Sequence, residues 1–270
     1  MTFLLVHDVF ILGQSFLVPA ILLFAAGCGA QPAQPVELTV SAAASVTDAM
    51  QEIQRLYEAE HGNIRLNLNF GASGALQQQI EQGAQADIFL SASPKNMNAL
   101  VDQQLIDERE QRTLLINELV VVVPADGSAE IGTIGDLTKD IVKTVAVGIP
   151  ESVPAGGYAK EALEHAGLWD ALSSKTVQGK DVRQVLQYVE TGNADAGFVY
   201  RTDALTSEQA EVAFPVDPYA YAPVEYPVGI VKATEHHAEA EDFLDFLHSQ
   251  EALDVFVKYG FSVPKHEETP

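Results

Sequence analysis

Short apolar runs rich in β-branched residues alternate with segments of helical periodicity from Val36 onward. This alternation is typical of α/β units, in which helices cover the faces of a largely parallel sheet. The candidate strands are Glu37 to Ala42, Ile64 to Phe70, Asp87 to Ser91, Leu119 to Val123, Thr144 to Val147, Ala196 to Tyr200 and Val228 to Val231. The candidate helices are Val46 to Glu60, Ala75 to Gln82, Lys95 to Gln103, Gly157 to Ala166, Val182 to Glu190 and a pair from Ala238 to Tyr259.

Two breaks in this pattern predict a division into lobes. A turn-forming segment starts at Pro124, directly after an apolar strand, and a proline-rich stretch runs from Pro215 to Pro227. We therefore predict a first lobe of residues 36–123 plus 226–270 and a second lobe of residues 124–225. Such a chain crosses between its lobes twice, which is the topology of a hinged clamp.

The charge of the chain limits its partners. It has 270 residues with 38 Asp and Glu against 15 Lys and Arg, so its formal net charge is −23. Too few cations are present to displace the counterions of a nucleic acid, and we expect no nucleic-acid partner. A hydrophobic fraction of 47% supports a full core. A single Cys excludes a disulfide framework within the chain and a thiolate-cluster metal site.

Residues 1–28 differ from the rest of the chain. An apolar run, Ile21 to Gly27, ends in small residues directly before Cys28, which predicts an export signal. The segment resembles the lipobox of bacterial lipoproteins, which implies lipidation of Cys28, although no Lys or Arg precedes the run and Ala25 stands where Leu is usual. The alternative is an inert Cys in an N-terminal membrane helix. Residues 29–35, with Pro32 and Pro35, then form an extended tether.

Two strand-to-helix junctions of the first lobe share one chemistry. Ala42-Ala43-Ala44-Ser45 follows the first strand, and Gly71-Ala72-Ser73-Gly74 follows the second. Small residues let a ligand approach the backbone, the hydroxyl can donate, and the first amides of a helix have no acceptor within it. Each junction is therefore a candidate anion site at the carboxyl edge of the sheet. The alternative is that Ser45 and Ser73 only cap their helices.

The second lobe offers a matching set. Val153-Pro154-Ala155-Gly156-Gly157 precedes one predicted helix and Lys180-Asp181-Val182-Arg183 opens the next, so free amides are expected near Ala155 and Val182. Tyr200 ends a strand and could extend its phenol into the same cleft, or lie half-buried in the core. Arg183 and Arg201 flank these positions, where they either add attractive potential or are solvated surface charges.

Several segments, in order along the chain, resemble the periplasmic molybdate-binding proteins, which are the solute receptors of molybdate transporters. The segments are AAASVTDAM (Ala42 to Met50), FGASGAL (Phe70 to Leu76), ADIFLS (Ala86 to Ser91), ELVVVVP (Glu118 to Pro124), VPAGGYAKEAL (Val153 to Leu163), DVR (Asp181 to Arg183), GFVYRTDA (Gly197 to Ala204), EYPV (Glu225 to Val228) and KYGF (Lys258 to Phe261). One departure is Ser93, where the family pattern predicts Asp beside the cleft.

The resemblance implies a two-lobed periplasmic-binding-protein fold of type II, each lobe a mainly parallel sheet flanked by helices. In that family two Ser hydroxyls, two backbone amides and one Tyr hydroxyl hold the oxyanion, which implies Ser45, Ser73, Ala155, Val182 and Tyr200 here. It also implies a monomeric, non-enzymatic receptor that needs no cofactor. Such a receptor captures molybdate or tungstate outside the cytoplasmic membrane and delivers it to the permease of an ABC transporter.

Three other functions are open on the sequence. The ligand can be sulfate, phosphate or a small organic anion. Gly71-Ala72-Ser73-Gly74-Ala75 is one residue short of the G-x-S-x-G nucleophile elbow, so a serine hydrolase using Ser73 with one of His165, His236, His237, His248 or His266 is an alternative. A metal receptor is another, although neighbouring helix positions such as His236 and His237 point about 100° apart.

Overall fold

The computed structural model describes residues 35–127 and 130–264. The strands are β1 (Val36–Ala43), β2 (Ile64–Gly71), β3 (Ile88–Leu90), β4 (Ile106–Asn117), β5 (Leu119–Pro124), β6 (Val145–Gly148), β7 (Thr176–Gly179), β8 (Ala196–Tyr200), β9 (Ala210–Pro215) and β10 (Val224–Val231). The α-helices are α1 (Thr47–Glu60), α2 (Ser73–Glu81), α3 (Pro94–Asp102), α4 (Pro154–His165), α5 (Trp169–Leu172), α6 (Val182–Glu190), α7 (Arg201–Ala204), α8 (His237–Leu247) and α9 (Gln250–Lys258). Two 3-10 helices span Ala44–Val46 and Ile134–Thr138.

Among the described residues the strands form two five-stranded sheets, with the orders β2-β1-β3-β10-β4 and β7-β6-β8-β5-β9. The α/β class and the two-lobed fold are confirmed. In each sheet four strands run in one direction and one runs against them: β10 is antiparallel to β3 and β4, and β5 is antiparallel to β8 and β9. Each sheet is therefore mixed. The strand that runs against its neighbours, β5 or β10, is the first strand after the chain crosses into that lobe.

The predicted lobe boundary at residue 124 is wrong. Strand β5 is buried between β8 and β9 of the second sheet, so the first crossing lies at Glu118, between β4 and β5. The turn after Pro124 ends a strand inside the second lobe and does not separate the lobes. The return crossing lies between Pro215 and Val224. Below, the first lobe is the sheet of β1 to β4 and β10 with its helices, and the second lobe is the sheet of β5 to β9 with its helices.

Amphipathic helices pack on the sheets of both lobes. Helix α1 buries Ala49, Met50, Ile53 and Tyr57, which lie at helical spacing on one face. Helix α6 buries Val182, Val185, Leu186 and Val189 against the second sheet. In the part of the chain that the structure describes, none of the helices has the length and apolarity needed to cross a membrane.

The parallel pairs of the two sheets determine where a site can form. In the first lobe β1 and β2 run side by side, with Ala43 beside Gly71 at their carboxyl ends. In the second lobe β6 and β7 do the same, with Gly148 beside Gly179. The segments that follow these strands therefore emerge together at one edge of each sheet.

Candidate functional site

Two buried serines of the first lobe emerge at this edge. Ser45 lies within the 3-10 helix that follows β1, and Ser73 is the first residue of α2 after β2. Neither is a capping side chain, because Ala43 and Ala72 occupy the N-cap positions and no side-chain cap bond forms there. The capping alternative is therefore wrong for both residues. The backbone N–H of Ala92 donates to the Ser73 Oγ at 2.9 Å, so the Ser73 proton stays available for another acceptor.

Two helix starts of the second lobe supply backbone donors. Ala155 and Val182 are buried in the first turns of α4 and α6, where amides have no acceptor within the helix. Gly156 lets α4 approach β6 this closely, since a Cβ at that position would lie 2.1 Å from the Gly148 carbonyl oxygen. The dipoles of both helices add positive potential at these amides.

Tyr200, at the end of β8, is the last of the five candidate donors. Its side chain is 1% exposed, so it is not the half-buried strand-end residue of the alternative interpretation. Within the described residues its hydroxyl has no hydrogen-bond partner. Burial raises the pKa of Tyr200 well above its ordinary value, which keeps the phenol protonated and able to donate. An unpartnered buried hydroxyl is costly in a folded protein, which makes Tyr200 a candidate ligand contact.

All five predicted residues line one small pocket between the lobes. Its walls are Ala43, Ala44, Ser45, Gly71, Ala72, Ser73, Ala92, Val153, Pro154, Ala155, Val182 and Tyr200. These lining residues include no charged side chain and no histidine. The pocket is narrow in this structure: the centre of a water-sized sphere has about 10 Å³ in which to move, which is about the space of one water molecule. Contact of these residues with an anion stays a prediction.

The lobes touch each other beside this pocket. The Gly74 N–H donates to the Ser152 carbonyl oxygen of the second lobe at 2.9 Å. Arg183 of α6 reaches Asp48 of α1 in the first lobe at 2.7 Å and has Asp203 of its own lobe at the same distance. Arg183 is therefore part of an ion-pair cluster across the cleft and not a solvated surface charge. Arg201 pairs with Glu118 at 3.2 Å, and both side chains are exposed.

Ser93, the departure from the family pattern, caps helix α3. Its Oγ accepts from the Lys95 N–H at 3.2 Å, and its own N–H donates to the Ser91 Oγ at 3.1 Å. Ser93 therefore satisfies the helix start without a carboxylate.

Sequence reasoning missed two polar residues behind Ser45. The Tyr226 hydroxyl lies 2.9 Å from the Ser45 Oγ, and the Asn117 amide donates to the Tyr226 oxygen at 3.3 Å. Tyr226 belongs to the EYPV segment, but nothing in its spacing distinguishes it from a core tyrosine. The contact between Asn117 and Tyr226 arises because β4 and β10 pair side by side.

Other predictions fall outside the pocket. Cys28 and the rest of the export segment lie outside the described residues, as does His266. In the ranges that the structure covers, no group of three or more His, Cys, Asp or Glu side chains is placed to hold a metal ion.

The fold is that of a two-lobed periplasmic binding protein, with a small pocket between its halves. The chain belongs to the family of bacterial extracellular solute-binding proteins, whose model matches residues 38–262. It is 47% identical over 245 residues to YvgL of Bacillus subtilis, named as an ABC transporter substrate-binding lipoprotein, with 89% of this chain and 94% of that protein covered.

Two further proteins are similar to this chain. The molybdate-binding protein ModA of Escherichia coli K12 is 42% identical over 233 residues, covering 84% of this chain and 89% of that protein. The solved periplasmic molybdate-binding protein of Azotobacter vinelandii has a TM-score of 0.76 at 23% identity, covers 84% of this chain and 100% of its own, and shows the shared fold.

Proposed function

We propose that this protein is an extracytoplasmic receptor that captures molybdate, and tungstate as an ion of the same shape, and delivers it to an ABC-type permease. One observation carries the proposal: three hydroxyl-bearing residues and two residues of helix first turns line one compact pocket whose walls include no charged side chain. The similarity to ModA names the oxyanion that such a pocket takes.

The chemistry of the pocket suits a tetrahedral dianion. Helix-start amides and hydroxyls attract negative charge without a cation that would hold the ion too firmly for release. Neutral donors select by number, direction and distance, so a smaller oxyanion leaves some of them unpaired. Each unpaired buried donor costs about 1 to 3 kcal/mol, which separates molybdate from sulfate.

The hydrolase alternative lacks a base. The residues that line the pocket around Ser73 include no histidine, so none of them is a histidine base that could accept the Ser73 hydroxyl proton. We therefore propose a binding protein without catalytic activity. We also propose that it acts as a monomer on the outer face of the cytoplasmic membrane, held there by a lipid on Cys28.

Titration with four oxyanions tests the ligand. Molybdate and tungstate should each raise the melting temperature and give a saturable heat in calorimetry, because a ligand that binds only the folded state stabilises it. Sulfate and phosphate should do neither at the same concentration. Sulfate binding as tight as molybdate would assign the site to another anion.

Substitution of the serines tests the site. Ser45→Ala and Ser73→Ala should each weaken molybdate binding about 10-fold or more, since hydrogen bonds to charged groups contribute about 1.5 to 3 kcal/mol. Ser91→Ala is the matched control, because Ser91 is equally buried near the same sheet edge but its hydroxyl bonds to the backbone of Ser93. Unchanged affinity in both serine variants would place the ligand elsewhere.

A further inference from the structure

The direction of each hydrogen bond determines whether Ser45 can donate to a ligand. A serine hydroxyl has one proton, which it gives either to the ligand or to a protein acceptor. The Ser45 Oγ lies 2.9 Å from the Tyr226 hydroxyl, and either oxygen could be the donor on distance alone. The neighbours of Tyr226 therefore decide what Ser45 presents to the pocket.

Asn117 sets this direction. The backbone N–H of Glu118 donates to the Asn117 Oδ1 at 2.9 Å, which identifies the other terminal atom of the amide as its nitrogen. That nitrogen donates to the Thr202 Oγ1 at 2.9 Å and to the Tyr226 oxygen at 3.3 Å. Because Tyr226 accepts from Asn117, its own proton is available for the Ser45 Oγ.

Tyr226 is well placed to keep this role. It is 0% exposed and its ring packs edge-on against Tyr200, 5.9 Å between centroids. Its hydroxyl bonds among the described residues are those to Asn117 and Ser45. Burial raises the pKa of Tyr226 well above its ordinary value, so the phenol remains a donor.

We propose that Tyr226 and Asn117 are positioning residues of the anion site: they donate toward Ser45 from behind and so direct its hydroxyl proton into the pocket. This inference rests on the proposed function, because it assigns Ser45 to the ligand. Asn117 ends β4 and Tyr226 lies on β10, and these two strands flank the crossings between the lobes. The donor set thus depends on strands that do not line the pocket themselves.

A double-mutant cycle with molybdate tests the assignment. Tyr226→Phe should weaken binding about 10-fold in the wild-type background, because Ser45 loses the donor that orients it. In a Ser45→Ala background the same change should alter affinity less than about 2-fold, since the hydroxyl on which Tyr226 acts is absent. Tyr57→Phe is the matched control: Tyr57 is also buried in the first lobe, but its hydroxyl donates to Asp242, and affinity should not change.

Asn117→Asp reverses the chain of bonds and gives a second variant. A carboxylate of nearly the same shape accepts from both Glu118 and Tyr226, so Ser45 must donate to Tyr226 and turn its proton from the pocket. Affinity should fall further than in Tyr226→Phe, and part of the loss should disappear in the Ser45→Ala background. The loss of affinity that remains in the Ser45→Ala background measures the effect of the added negative charge.

Equal losses in both backgrounds, for either variant, would overturn the proposal, and so would an unchanged affinity in Tyr226→Phe. Failure of the wild-type protein to bind molybdate is a different result, because it removes the proposed function. In that case the same double-mutant cycle, run with the oxyanion that does bind, tests the positioning roles of Tyr226 and Asn117 separately from the choice of ligand.

Discussion

Asp203 is an acidic residue held in the core beside the cleft. It is 0% exposed, and its Oδ1 lies 2.7 Å from the Arg183 Nε. Burial disfavours its carboxylate and Arg183 favours it, and burial prevails, raising the pKa of Asp203 to about 6. Asp203 follows Tyr200 closely in the chain and supports the arginine that reaches across to Asp48. Its protonation state therefore bears on the contact between the lobes.

The raised pKa of Asp203 predicts a pH dependence of stability. Between about pH 4 and pH 6 the folded protein retains a proton that the unfolded chain has released, so the native state loses stability as the pH rises. Asp203→Asn removes this titration. The free energy of unfolding of the wild type minus that of the variant should fall by up to about 3 kcal/mol over this range and be level above it. Urea denaturation at a series of pH values measures the difference.

Glu52 provides the control of opposite sign. Hydrogen bonds from Lys258 and Tyr259 lower the pKa of Glu52, so the stability that it contributes is lost as the pH falls. The free energy of unfolding of the wild type minus that of Glu52→Gln should therefore grow with pH. An Asp203 difference that also grows with pH would show that Arg183 prevails over burial.

Four of the five pocket residues are predictable from local chemistry alone. Ser45, Ser73, Ala155 and Val182 each follow a strand at a junction of small residues or a helix start, and such junctions collect at one sheet edge. Tyr200 needed the family resemblance, because its spacing fits a core aromatic equally well. Tyr226 and Asn117 were not predictable, since the contact of Tyr226 with Ser45 and the contact of Asn117 with Tyr226 join segments far apart in sequence.

At the scale of elements, the strands that sequence reasoning missed are sheet edges. Strands β4, β7 and β9 are three of the four edge strands of the two sheets, the fourth being the predicted β2, and β4 carries a run of charged residues, Asp107 to Arg109, on its exposed part. An edge strand is paired and covered on fewer sides, so its apolar alternation is weak. The prediction for β10 began at Val228 because Pro227 signals a break. The sheet accommodates this proline at a shift of register between Tyr226 and Pro227.

The first turn of α2 limits how closely the lobes approach. A Cβ on Gly74 would lie 2.7 Å from the Ser152 carbonyl oxygen and 2.8 Å from its Cα, both backbone atoms of the second lobe. Gly74→Ala should therefore hold the lobes apart and weaken molybdate binding about 10-fold, since such overpacking costs about 1 to 3 kcal/mol.

Calorimetry and small-angle scattering with and without molybdate measure the effects of Gly74→Ala. Gly157→Ala is the matched control in the first turn of α4, where the nearest atom to an added Cβ is the Pro150 carbonyl oxygen at 3.5 Å. Binding by Gly74→Ala that equals binding by Gly157→Ala would show that lobe contact at Ser152 is not needed for the ligand.

At the scale of the whole molecule, the net charge of −23 acts on encounter and not on the pocket. Surface carboxylates are screened beyond about 8 to 10 Å at moderate salt, whereas the donors of the pocket act within hydrogen-bond distance. The association rate of molybdate should therefore change little, or rise slightly, as NaCl is added. Stopped-flow fluorescence measures this rate. A steep fall with salt would reveal attraction by a local cationic surface.

The strand order of the first sheet has a consequence for the course of folding during synthesis. Strand β10 lies between β3 and β4, yet the whole second lobe is made before β10. The second lobe is continuous from β5 to β9 and can complete its sheet as soon as it is made, whereas β4 must wait for its partner. The half of the protein that is synthesised first therefore finishes folding last.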